Sequence, residues 1–127
     1  MDEPIWLTRQ VVEIIHLEQI TEHGGRAGLR DETLLESALA RPRQRLAYDE
    51  GSTIPQLAAA LCIGLAQNHP FIDGNKRVAL LVTYTFLALN GLELEANETD
   101  AADVIESLAA GSLDEGGLAV WLGGHVR

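Results

Sequence analysis

Leu-Ala-Ala-Ala-Leu-Cys-Ile-Gly-Leu-Ala-Gln-Asn, residues 57 to 68, holds only apolar residues and one glycine until its last two positions. A surface helix carries one apolar stripe, whereas a helix that is apolar all round is buried. A membrane span takes about 20 such residues, so this segment is too short to be one. It reads as the central helix of a packed core. Thr53 and Gln56 stand ahead of it at capping-box spacing, with Pro55 in the first turn. His69 precedes Pro70, which biases it away from helical angles, so the helix ends at about Asn68.

Working outward, a second buried helix starts near Asn75, runs through the almost wholly apolar stretch Val78 to Leu89 and ends at Asn90-Gly91, a left-handed C-cap. Upstream, a first helix spans about residues 8 to 22, with Val11, Ile14, Ile15, Leu17 and Ile20 at helical spacing and Gly24-Gly25 as its end. Asp31 is a good N-cap for a second helix carrying Leu34, Leu35, Ala38 and Leu39, which Pro42 stops. A helical turn over Arg45 to Ala47 follows, then an exposed loop, Tyr48-Asp49-Glu50-Gly51-Ser52-Thr53. Downstream, Leu92 to Glu95 reads as briefly extended. Thr99 or Asp100 caps a helix ending at Gly111, and Ser112 with Glu115 forms a capping box opening a last helix through Trp121. The expected fold is all-α, a single domain over residues 1 to 127, with two buried central helices wrapped by amphipathic ones.

The chain has 127 residues, 46% of them apolar, and a formal net charge of -10. That charge disfavours nucleic acid and anionic membranes as general partners. The single cysteine, Cys62, rules out an internal disulfide and reads as a small core residue. The N-terminus, Met-Asp-Glu-Pro-Ile-Trp, lacks the basic region of a signal peptide. The expected location is cytoplasmic. No cluster has zinc-ligand spacing, and His16 and His23 show no partner pattern.

The only lysine, Lys76, sits beside Arg77 in the first turn of the second buried helix. Charge–dipole logic disfavours cations there. The first amides of the same helix point out unsatisfied, which makes a ready anion site. With Lys76 and Arg77 added, the arrangement is awkward when empty and favourable with a polyphosphate bound. Gly74 permits the positive φ of a tight loop-to-helix turn. Asp73 is placed to hold Mg²⁺, which bridges phosphates through oxygen ligands. His69 is available as a general base near neutral pH. Base, metal ligand and phosphate cradle thus fall within residues 69 to 77. An anion is expected on the amides near Asn75, and loss of the Lys76 charge is expected to stabilise the free protein slightly.

Each residue also has a plainer reading. Asp73 suits a helix N-cap, and His69 suits a loop histidine bonded to a backbone carbonyl. Lys76 and Arg77 suit pairing with carboxylates elsewhere, and Phe71 suits a core anchor that pins the loop.

The segment His-Pro-Phe-Ile-Asp-Gly-Asn-Lys-Arg, residues 69 to 77, resembles the signature of the Fic/Doc superfamily, His-x-Phe-x-(Asp/Glu)-(Gly/Ala)-Asn-(Gly/Lys)-Arg, at all of its specified positions. Lys76 and Leu80 are similar to the Doc (death-on-curing) branch; Fic-type AMP transferases usually carry Gly and a second Arg there. Gly74 is commoner in Fic enzymes, and Doc-like proteins also use it. Gly24-Gly25 through Asp31, Leu46-Ala47-Tyr48 and Asn90-Gly91 are also similar to Doc toxins. The resemblance implies a compact helical bundle.

It further implies the toxin of a toxin–antitoxin pair, transferring the γ-phosphate of ATP to a threonine of translation elongation factor Tu. Carried over, His69 deprotonates the target hydroxyl and Asp73 holds Mg²⁺. Gly74, Asn75, Lys76, Arg77 and the helix-start amides bind the phosphates of ATP. The loop Tyr48 to Thr53 matches the family's target-positioning flap. The implied partner is a small Phd-like antitoxin. Two alternatives accompany this reading: an AMP transferase on the same scaffold, opposed by Lys76 with Leu80, and a catalytically silent antitoxin-binding module, opposed by the intact motif. Ser112-Leu-Asp-Glu-Gly has one residue too few for the self-inhibitory helix of some Fic proteins, so inhibition is expected in trans.

Overall fold

The computed structural model describes residues 3–127. The start of the N-terminal stretch read for targeting, Met1 and Asp2, lies outside them. Among the described residues there are six helices: α1 Arg9–His23, α2 Glu32–Tyr48, α3 Ile54–Asn68, α4 Asn75–Leu89, α5 Glu98–Ala109 and α6 Glu115–His125. The only strand-like pairings among them are two isolated antiparallel bridges, Leu29 with Phe71 and Leu94 with Val126. No described helix is long and apolar enough to cross a membrane.

The all-α expectation holds, and α3 is the axis. Every residue from Leu57 to Ala66 is buried, and α2, α4, α5 and α6 all pack on it. Burial of each large aliphatic side chain here contributes on the order of 1.5 to 3 kcal/mol. The expected capping box opens α3, with Thr53 N–H donating to Gln56 Oε1 at 2.9 Å and Gln56 N–H to Thr53 Oγ1 at 3.3 Å. Gly64 lets α2 come close, since a β-carbon there would lie 3.1 Å from Ala38 Cα and Cβ. The second central helix, α4, buries one face: Val78, Ala79, Val82, Thr83, Phe86 and Leu87.

Four expectations need correction. Pro42 does not end α2, which continues to Tyr48 and absorbs the turn expected at Arg45–Ala47. Packing on α3 outweighs the lost helical hydrogen bond, and Glu115 grips Arg41 and Arg45, one on each side of the proline, at 2.9 Å. The buried face of α1 is Val12, His16 and Ile20, while Val11, Ile14 and Leu17 are exposed. The N-cap of α5 is Asn97, ahead of Thr99 and Asp100, and its side chain accepts from Asp100 N–H at 2.8 Å. Asp114 caps α6; Ser112 instead bonds the Ser107 carbonyl at the end of α5, and Glu115 serves the arginines of α2 rather than a capping box.

The exposed loop expected over Tyr48–Thr53 is shorter. Tyr48 is the last, almost fully exposed residue of α2, and Thr53 is the N-cap of α3. Between them Asp49 Oδ1 accepts from Gly51 N–H at 2.9 Å, and Ser52 Oγ donates to Asp49 O at 2.8 Å. Ser52 is fully buried, so its side chain stays in the turn. Asp49, Glu50 and Gly51 form the exposed tip.

Candidate functional site

The loop between α3 and α4 starts under constraint. His69, the C-cap of α3, sits in the left-handed region at φ 51° and ψ 56°. It is the one non-glycine residue with positive φ among those described. Avoidance of right-handed helical angles before Pro70 was legible; adoption of left-handed ones was not. Such a conformation costs on the order of 1 to 3 kcal/mol and persists only where neighbours enforce it. Arg30 is the enforcer: its Nε donates to the His69 carbonyl at 2.6 Å and its Nη2 to the Asn68 carbonyl at 2.8 Å. Two charge-assisted bonds thereby close the carbonyl end of α3. The amides of Arg30 and Asp31 both donate to the Pro70 carbonyl, at 2.7 and 3.0 Å.

Phe71 is 2% exposed and anchors the loop in the core, as expected. Its backbone is also bracketed by Asn75, whose Oδ1 accepts from Phe71 N–H at 2.9 Å and whose Nδ2 donates to Phe71 O at 3.0 Å. The Asn75 side chain is thus occupied in bracing the loop, which leaves its backbone amide as its offer to an anion. Asp73 Oδ1 accepts from Gly74 N–H at 2.9 Å and Oδ2 from Arg26 N–H at 3.3 Å. Gly74, with φ 75°, is the N-cap of α4, and no side chain caps that helix start. The N-cap reading of Asp73 is therefore not what the structure has, and the anion-site geometry stands open.

His69, Asp73, Gly74, Asn75, Lys76 and Arg77 line one cavity of about 420 Å³, together with Ile72 and Glu106. A somewhat larger hollow, about 490 Å³, lies among Trp6, Arg43, Leu46 and Glu50; it gathers none of the motif residues. The Lys76 ammonium pairs with Glu106 of α5 at 3.0 Å, so the plainer reading holds for this residue in the free protein. Arg77 makes no ion pair among the described residues. None of Tyr48 to Thr53 lines the cavity.

The donor set fits a bound polyphosphate: an uncapped helix start, a free guanidinium and an ammonium share the cavity. It also fits Mg²⁺ in one particular way. No group of three His, Cys, Asp or Glu side chains among the described residues could hold a metal alone. Magnesium commonly takes one or two carboxylates and completes its shell with phosphate oxygens and water. Asp73 would be the holding carboxylate, with the nucleotide supplying the rest.

Sequence reasoning missed three residues that shape this site: His16, Arg30 and Glu106. Arg30 falls within the Gly-rich stretch after α1 but nothing in its spacing announces a clamp. Glu106 is 30 residues from Lys76, beyond any local pattern.

The chain matches one known family and two named relatives. The profile described as Fic/DOC family matches residues 6–87. The chain is 38% identical over 106 residues to Toxin Doc of Mycolicibacterium smegmatis, covering 81% of this chain and 82% of that protein. It is 30% identical over 105 residues to Protein kinase doc of Escherichia phage P1, covering 83% and 82% respectively.

Proposed function

The chain belongs to the Fic/Doc family, and from that premise we propose that it is the toxin of a toxin–antitoxin pair, a protein kinase that moves the γ-phosphate of ATP to a threonine hydroxyl of a translation factor, elongation factor Tu in the first instance. One observation carries the reading: the uncapped start of α4, with Lys76 and Arg77, opens onto the same cavity as His69 and Asp73. The names of the two relatives, one a toxin and one a protein kinase, support toxicity and phosphoryl transfer. A Phd-like antitoxin is the corresponding partner and the cytoplasm the corresponding place.

The residues divide the work as follows. The helix-start amides of Asn75 and Lys76 and the guanidinium of Arg77 hold phosphate oxygens in a fixed orientation. Lys76 leaves Glu106 and turns its charge to the same oxygens. Bound magnesium would neutralise charge between phosphates, held by Asp73. His69 takes the proton from the incoming hydroxyl, the step general bases speed by about 10² to 10⁴. The flap tip, Asp49 to Gly51, aligns the target segment.

The test is to incubate the protein with elongation factor Tu and Mg-ATP and weigh the factor by intact mass. A phosphate adduct is expected. An AMP adduct would replace the kinase with an AMP transferase, and an unchanged mass would remove this target.

A further inference from the structure

His16 is a buried histidine, 3% exposed, on the inner face of α1 between Val12 and Ile20. Its ring lies flat on Phe71, with centroids 3.9 Å apart and planes 8° from parallel. Its Nε2 is 2.8 Å from the carbonyl oxygen of Asp73. A carbonyl only accepts, so Nε2 carries the hydrogen. Packing against Phe71 alone calls for an apolar residue; the polar edge of the ring is explained by that one bond.

The bonded carbonyl belongs to the peptide that joins Asp73 to Gly74, whose orientation sets the first turn of α4. Asp73 is then held at three points: the carbonyl by His16, Oδ1 by Gly74 N–H and Oδ2 by Arg26 N–H. Gly25 closes the last side, since a β-carbon there would lie 2.9 Å from Asp73 Oδ2. We propose that His16 is a positioning residue for Asp73, fixing the 73–74 peptide so that the carboxylate and the α4 amides meet a magnesium–polyphosphate ligand together. The inference rests on the proposed reading of the site and adds to it a residue from a different helix.

The experiment compares His16→Phe, which keeps the stack and loses the donor, with His16→Gln, which keeps a donor. Calorimetric titration of Mg²⁺ into protein held with a non-hydrolysable ATP analogue gives the midpoint, and titration of the analogue in EDTA gives the magnesium-free affinity. For His16→Phe the Mg²⁺ midpoint is expected to rise roughly tenfold, as for loss of an outer partner of a metal ligand. The magnesium-free affinity should fall less than the Mg²⁺ midpoint rises, because the shifted α4 amides are only part of the phosphate cradle and Lys76 and Arg77 keep their charge, and His16→Gln should recover most of the midpoint. A wild-type midpoint in His16→Phe, or equal losses in Phe and Gln, overturns the inference. If His16→Phe does not fold, His16→Met replaces it: a midpoint about tenfold above that of His16→Gln supports the inference, and equal midpoints overturn it. Asp73→Asn separates the two levels. If it binds Mg²⁺ as wild type does, the reading of the site fails; if it loses Mg²⁺ while His16→Phe keeps it, only the role of His16 fails.

Discussion

The ammonium of Lys76 lies 3.0 Å and 3.1 Å from the two carboxylate oxygens of Glu106. The sole lysine of the chain therefore has a counter-ion across the cavity it would share with phosphate. Both side chains are about half exposed or more, at 46% and 66%. Such a pair contributes little, about 0 to 1 kcal/mol. The unfavourable position of Lys76 at the α4 N-terminus costs about 0.3 to 1 kcal/mol. The two contributions oppose each other, so the small stabilisation expected from sequence on removing the charge is offset by loss of the pair.

Lys76→Gln is accordingly expected to melt within about 2 °C of wild type without ligand, and to gain less from Mg-ATP. Paired melting curves check both halves. A ligand-induced shift equal to that of wild type would place Lys76 outside the site.

Glu106→Gln should act in the opposite sense on binding. With its competitor gone, Lys76 is free for phosphate, and ATP binding should tighten by up to about fivefold, the equivalent of about 1 kcal/mol. The gain should shrink in high salt, because the pair is exposed. Titration calorimetry at two salt concentrations reads it; weaker binding would instead make Glu106 part of the ligand site.

The core was legible because its signal is local: α3 is apolar on every face, and nothing else explains such a run. The motif loop was legible for the same reason, with Pro70 and Gly74 marking its bends. The face of α1 was misread because periodicity counts apolar residues, and the buried position belongs to His16, whose polar edge is satisfied by a carbonyl 57 residues away. Pro42 was misread because a helix-breaking cost of about 3 kcal/mol is set against tertiary contacts invisible from sequence: Ala38 on Gly64, and Arg41 with Arg45 on Glu115. The Lys76–Glu106 pair was invisible for the same reason.

Cys62 is fully within the core, and burial pushes its thiol up to about 11, with the neighbouring Thr83 hydroxyl pulling the other way. The ordinary value is 9.0. Between those limits the unfolded chain loses the thiol proton and the folded one keeps it, so stability is full below about pH 9 and falls as pH rises toward 11. The loss from this group is up to roughly 3 kcal/mol. Urea midpoints from pH 8 to 11 should decline in wild type and decline less in Cys62→Ala. In native protein at pH 8, thiol alkylation should track global unfolding; rapid labelling would contradict this burial.

Arg30→Ala removes two bonds from the carbonyl end of α3. The side chain is exposed, so the expected cost is modest, about 1 to 2 kcal/mol. Arg30→Lys should recover little, because one ammonium cannot reproduce the two-pronged geometry. Transfer activity should fall more than stability, since His69 is what the clamp holds. A variant that loses stability but keeps full activity per folded molecule would make the clamp purely structural.

His69 sets stability against chemistry at one position. Its left-handed backbone costs about 1 to 3 kcal/mol for a residue with a β-carbon, while glycine adopts it freely at some entropic cost in the unfolded chain. His69→Gly should therefore be as stable as wild type or more so, by up to about 1 kcal/mol. His69→Ala keeps the strain and should be no more stable than wild type. Both lose the imidazole, so both should lose phosphoryl transfer by about 10² to 10⁴ and fail to arrest growth. Chemical denaturation and mass-based transfer assays on the pair separate backbone from base. If His69→Gly is clearly less stable than His69→Ala, the left-handed geometry is wrong; if either still transfers phosphate at the wild-type rate, His69 is not the base.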